Sequence, residues 1–149
     1  MPDLKQLYQE VILDHNKKPR NYKQLLHPTH KAEGYNPMCG DHYTLYLQVE
    51  DGKIVDIGFE GAGCAISKSS ASIMTTCLKG ATLEEAEQMF ENFHLLLTKD
   101  ARPEDLPGKL CKIAVLQGVK AFPTRIKCAT LVWHTLKSAL EGKQEVTTE

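Results

Sequence analysis

Two alternating runs meet at an Asp-Gly pair, and no other stretch narrows the possible folds so far. HYTLYLQVE (42–50) places Tyr43, Leu45, Leu47 and Val49 on one face, and KIVDIGFEG (53–61) places Val55, Ile57 and Phe59 on one face. Asp51-Gly52 between them suits the two positive φ angles of a type I′ turn, so the spacing predicts an antiparallel hairpin. Such a hairpin has one apolar face that must be covered. The cover follows in sequence, because after Gly61-Ala62-Gly63 the apolar period changes from two to that of a helix.

The helical segments are marked by their own start and stop signals. Asp3 with Gln6 resembles a capping box, and Leu4, Leu7, Tyr8, Val11 and Ile12 follow at helical spacing up to a stop before Pro19. His30–Tyr35 is expected as a short edge strand. Beyond the hairpin, Ile66, Ser70, Ile73 and Cys77 form one stripe that Gly80 closes. Thr82 and Glu85 make a further capping box, ahead of Leu83, Ala86, Phe90, Phe93 and Leu97. Another helix is expected from Lys109 to Lys120. After Pro123-Thr124 a last helix carries Ile126, Ala129, Trp133, Leu136 and Leu140 on one face. Strands first and helices afterwards predict an α+β fold, with a small antiparallel sheet packed against several helices. A length of 149 residues without a linker or repeat fits one domain over 1–149.

Charge and thiol usage bound the function. A net charge of −1 gives no basis for a nucleic-acid surface. No apolar run approaches the ~20 residues that cross a bilayer, and the start lacks the apolar stretch of a signal peptide. Five cysteines in no regular framework argue for reduced thiols and a cytoplasmic location. Cys77 and Cys111 fall among apolar residues and are expected as packed core thiols.

The other three cysteines sit at backbone corners. Cys39 precedes Gly40 just before the hairpin, and Cys64 follows Gly61-Ala62-Gly63 just after it. An antiparallel pair returns both to the same end of the sheet. Cys128 stands in the first turn of the last helix, beside Arg125 and Lys127. Cys64 and Cys128 thus occupy helix starts, where the macrodipole favours an anionic sulfur. Asp41 adds an oxygen donor two residues from Cys39. Three thiolates and a carboxylate suit a tetrahedral zinc ion, although each cysteine taken singly reads as structural. Ser67, Ser69, Ser70 and Ser72 flank a helix without a triad pattern. His27, His30, His94 and His134 have no partner pattern and are expected as ordinary surface or packed residues, while His15 lies in the DHNKKPRN stretch and His42 follows Asp41.

With these residues in view, the chain resembles the SufU branch of the IscU/NifU N-terminal family of iron–sulfur assembly proteins. The resemblance rests on LYQEVILDHNKKPRN, NPMCGD, FEGAGCAISKSSASIM and FPTRIKCATLVW, and it runs nearly the whole length. It implies a three-stranded antiparallel sheet against helices, with Cys39, Asp41, Cys64 and Cys128 as metal ligands. Members of the IscU type carry a histidine directly before the third cysteine, where this chain has Lys127. They also carry a Leu-Pro-Pro-Val-Lys run, where this chain reads FPTRIK. Their segment between Gly80 and Pro123 is shorter. These features are those of the SufU type, which implies a zinc-dependent sulfurtransferase that takes persulfide sulfur from a SufS-class cysteine desulfurase and serves downstream cluster assembly proteins. Cys39 would be the sulfur acceptor, and Arg125 a partner contact or a stabiliser of the thiolate. Two other roles stay open: a scaffold that builds a [2Fe–2S] cluster or holds iron, and a domain whose zinc only supports folding.

Overall fold

The computed structural model describes residues 4–37, 40–99, 102, 106, 113–142 and 145–147. Helix α1 (Leu4–Lys17) leads into β1 (His30–Asn36), β2 (Asp41–Glu50) and β3 (Lys53–Ala62). Helices α2 (Ala65–Leu78) and α3 (Leu83–Thr98) follow. A 3-10 stretch, Ile113–Ala121, and a single 3-10 turn, Pro123–Arg125, precede α4 (Ile126–Leu140). A short strand β4 (Glu145–Thr147) comes last.

The expected hairpin is present, with Asp51 at φ 51° and Gly52 at φ 74° in the turn. Tyr43, Leu45, Leu47, Ile57 and Phe59 are fully buried on its covered face. One inward position differs from expectation. The pairing steps from Gln48↔Asp56 to Val49↔Ile54, so Val55 is the extra residue of a β-bulge. The bulge reverses the alternation toward the turn, burying Ile54 and leaving Val55 40% exposed.

The antiparallel three-stranded sheet also forms as expected, and β4 extends it to the order β3-β2-β1-β4. Strand β1 is therefore not an edge. Glu145–Thr147 run parallel to Glu33–Tyr35, and β2 pairs along the other side of β1. Of the helix expected over Lys109 to Lys120, the first residues and Cys111 lie outside the described residues. The rest takes 3-10 form from Ile113. The first capping box involves Asp3, also outside them. The second is observed: Thr82 Oγ1 accepts from Glu85 N–H, and Thr82 N–H donates back to Glu85 Oε1.

Helix α4 packs on β1 and β2, α2 on β3, and α1 on α2. Helix α4 comes close to the strand at Gly34, where a Cβ would stand 2.1 Å from Thr135 Oγ1 and 3.1 Å from Leu131 Cδ1. Only glycine permits that contact, which seats the middle of α4 on β1. On the far side, Phe93 of α3 stacks on Trp133 of α4 with ring centroids 4.5 Å apart.

The serines of α2, silent in the sequence, join the helices. Ser69 Oγ donates to Ile12 O (2.7 Å) and Ser70 Oγ to Ala129 O (2.6 Å). Ser70 Oγ also accepts from Trp133 Nε1 (3.2 Å). Ser72 Oγ accepts from Arg20 N–H and meets His15 Nδ1 at 2.7 Å, so His15 is a packed residue at the α1–α2 seam. Cys77 differs from expectation. It is only partly buried near the end of α2 and is disulfide-bonded, where a free packed thiol had been expected. A half-buried sulfur can reach a second one, which helical spacing alone does not reveal. The free cysteines among the described residues are Cys64 and Cys128.

Candidate metal centre

One end of the sheet gathers the site. Strand β1 ends at Asn36, which is in register with Asp41 at the start of β2, and both point inward at 1% and 2% exposure. Strand β3 ends at Ala62, opposite His42, and delivers Cys64 as the N-cap of α2. Cys128, the third residue of α4, arrives from above with no exposed surface. Ligand atoms of Asp41, Cys64 and Cys128 lie within 4.8 Å of one another. Cys39 lies outside the described residues.

Local chemistry holds each group in place. Cys64 Sγ accepts from Ser67 N–H at 3.4 Å, so the sulfur itself caps α2. Cys64 N–H donates to Asp41 Oδ1 at 2.9 Å, tying the first residue of β2 to the start of the helix. The carboxylate comes so close to the turn that a Cβ on Gly63 would lie 2.4 Å from Asp41 Oδ1, 2.6 Å from Ser67 Oγ and 2.7 Å from Tyr43 Oη. Glycine is the residue that fits there. Asn36 Nδ2 donates to Cys128 Sγ at 3.6 Å.

The buried side-chain polar atoms without a hydrogen-bond partner, among the described residues, are Tyr8 Oη, Asn36 Oδ1 and Asp41 Oδ2. Asn36 and Asp41 belong to this end of the sheet. Burial raises the Tyr8 phenol above its ordinary range, and Cys64 adds to the shift. Burial also raises Tyr43 strongly. Its contact with Ser67 (3.0 Å) opposes the rise, while Asp41 and Cys64 reinforce it. Both phenols therefore stay neutral.

Leaving Asp41 Oδ2 buried and unpaired costs about 1–3 kcal/mol or more for a charged group. A cation shared with the two sulfurs removes that cost. The donor set, soft sulfur with one hard oxygen, fits zinc and also iron. Among the residues predicted from sequence, Asp41, Cys64 and Cys128 are thus together. His42 is not with them. Strand alternation turns it to the other face, where it stacks on Tyr35 at 4.3 Å and lies 3.6 Å from Glu33 Oε1. Arg125 is exposed at the residue before α4. Sequence reasoning missed Tyr8, Asn36 and Ser67, although Asn36 belongs to the NPMCGD run.

Residues 7–129 match the model of the NifU-like N terminal domain. The chain belongs to that family. It is 41% identical over 138 residues to the iron–sulfur cluster assembly scaffold protein IscU of Thermotoga maritima, covering 92% of this chain and 94% of that one. It is also 41% identical over 143 residues to the zinc-dependent sulfurtransferase SufU of Bacillus subtilis, covering 96% and 95%. Among solved structures, a candidate iron–sulfur assembly scaffold for the SUF system from Fervidobacterium islandicum superposes with TM-score 0.81. Its identity is 37%, over 88% of this chain and 94% of that one. A NifU-like N-terminal protein of Brucella abortus shares the fold, with TM-score 0.79 at 23% identity over 91% and 92%. This NifU-like domain is therefore an iron–sulfur cluster assembly protein of IscU/SufU type. No helix among its described residues is long and apolar enough to cross a membrane.

Proposed function

We propose that the protein is a zinc-dependent sulfurtransferase that accepts persulfide sulfur from a SufS-class cysteine desulfurase in the cytoplasm and supplies downstream cluster assembly proteins. The observation that carries this reading is the buried Asp41, whose Oδ2 is unpaired and one of whose carboxylate oxygens lies within 4.8 Å of the Cys64 and Cys128 sulfurs. Asp41, Cys64 and Cys128 would hold the ion, with Cys39 as the fourth ligand from the sequence pattern. Bound zinc would keep the thiols deprotonated and protect them from oxidation.

The transfer itself falls to Cys39. Its thiolate attacks the outer sulfur of the desulfurase persulfide, a new S–S bond forms, and the old one breaks. The desulfurase cysteine leaves as thiolate, and the outer sulfur keeps any proton it carries. No external oxidant or reductant enters. Gly40, at φ 72° with open space around it, gives the turn beside Cys39 a conformation that side-chain-bearing residues rarely adopt. Arg125, exposed at the residue before α4, would serve as a partner contact or stabilise the attacking thiolate.

The name of the Bacillus subtilis relative favours this reading, as does Lys127 in place of a histidine. The equally identical Thermotoga maritima relative keeps a second reading in play, a scaffold for a [2Fe–2S] cluster. Anaerobic purification with metal analysis and a visible spectrum separates the two. The expected result is a colourless protein with about one zinc per chain. Added to a cysteine desulfurase, it should raise the rate of sulfide release. A stable brown chromophore with no effect on the desulfurase would favour the scaffold.

A further inference from the structure

We propose that Asn36 is a positioning residue of the metal centre: its side-chain amide donates to Cys128 Sγ and holds that sulfur as the ligand that does not exchange. The inference rests on the reading of Cys128 as a ligand. Asn36 is 1% exposed, faces inward with Asp41, and places Nδ2 3.6 Å from Cys128 Sγ. With Cys128 as a thiolate ligand, the reverse amide orientation would set an acceptor oxygen against an acceptor sulfur, so that state selects the N–H.

The other half of the amide is the telling part. Asn36 Oδ1 is buried without a partner. A buried amide that served the fold would have both ends satisfied, and an apolar side chain would avoid the cost altogether. What Asn36 supplies is a neutral N–H directed at a sulfur. In a site of three thiolates and a carboxylate around a dication, the ligands carry more negative charge than the ion neutralises. An N–H donor draws charge from the sulfur it meets, which eases repulsion among the ligands and makes that sulfur a weaker nucleophile. Cys128 is also enclosed: it has no exposed surface, and the carbonyl of Ala129, the next residue, is bonded to Ser70 of α2. Cys64, by contrast, is partly exposed. Ligand exchange is thereby confined to the open side of the centre.

The test compares wild type, Asn36→Ala and Asn36→Asp as full chains. Zinc affinity is measured by chelator competition, and alkylation of each cysteine in the zinc-loaded protein by mass spectrometry. Thermal stability is measured without metal. Asn36→Asp keeps the shape, loses the N–H and sets a further negative charge against the sulfur, and Asn36→Ala loses the N–H alone, so both variants should bind zinc about 10–100-fold more weakly. Cys128 should be alkylated several-fold faster in both, while the metal-free Tm of Asn36→Ala stays within about 3 °C of wild type. Unchanged zinc affinity and unchanged Cys128 protection would overturn the proposal. So would failure of both variants to fold, or a metal-free Tm that falls in step with zinc affinity, since either assigns Asn36 to the fold. If Cys128→Ser binds zinc like wild type, the metal-centre reading itself fails, and the inference falls with it.

Discussion

Helix α2 borders two regions that treat buried polar groups in opposite ways. Along its length Ser69, Ser70 and Ser72 each find a partner on a neighbouring helix or on the turn after α1. Around its N-terminal end, Asn36 Oδ1 and Asp41 Oδ2 have none, and Tyr8 Oη, whose phenol is raised by burial with Cys64 adding to the shift, has none either. The seam is built as stable interiors are, with donors matched to acceptors. The sheet end gives up that matching. The difference teaches that this end is organised around something the chain does not itself provide, and the donor set makes a metal ion the natural complement.

The comparison breaks most visibly at the sulfurs. Cys128→Ser or Cys64→Ser should weaken zinc binding by more than the ~10–100-fold typical of an outer-sphere change, as read by chelator competition and metal analysis. Retained zinc in either variant would separate the orphaned atoms from metal binding. Asp41→Ala comes next. It should lower zinc retention and sharply reduce desulfurase stimulation with no stable brown cluster, whereas a persistent cluster with normal stimulation would support a scaffold.

The seam should respond in stability. Ser70→Ala leaves Trp133 Nε1 and Ala129 O without their partner and should cost about 1–3 kcal/mol in urea unfolding, with zinc stoichiometry unchanged. The smallest effect sharpens the contrast most. Tyr8→Phe deletes an unpaired buried hydroxyl, so the metal-free protein should be as stable as wild type within about 0.5 kcal/mol, or more stable. A loss as large as that of Ser70→Ala would show that the hydroxyl has a partner in the folded chain.

The sequence made the local architecture legible where one period dominates. The hairpin, α1, the capping box of α3 and the apolar face of α4 all follow from spacing and cap chemistry. Val55 was misplaced because a bulge at Gln48/Val49 depends on how two strands pair, which neither strand encodes alone. The local pattern of β1 is that of an edge strand, because its pairing with Glu145–Thr147 joins segments more than a hundred residues apart. The same reason hid the second layer of the site. Asp41, Cys64 and Cys128 could be singled out because their chemistry is rare at backbone corners. Asn36 could not, since its meaning lies in a contact 92 positions away. Tyr8 has the spacing of an ordinary core residue. The serines looked idle because their partners are backbone carbonyls and side chains on other helices.

The pairing of β4 also bears on solubility. Its three residues run beside Glu33–Tyr35 and occupy backbone groups that would otherwise face outward along the middle of β1. An unpaired strand of that kind is a template on which a second molecule can add, and continued addition leads to aggregates. A three-residue cover presents a much poorer template itself, too short to nucleate stacking. Trimming residues 145–147, or burdening them with a bulky tag, should therefore promote concentration-dependent self-association at the sheet margin next to the metal centre.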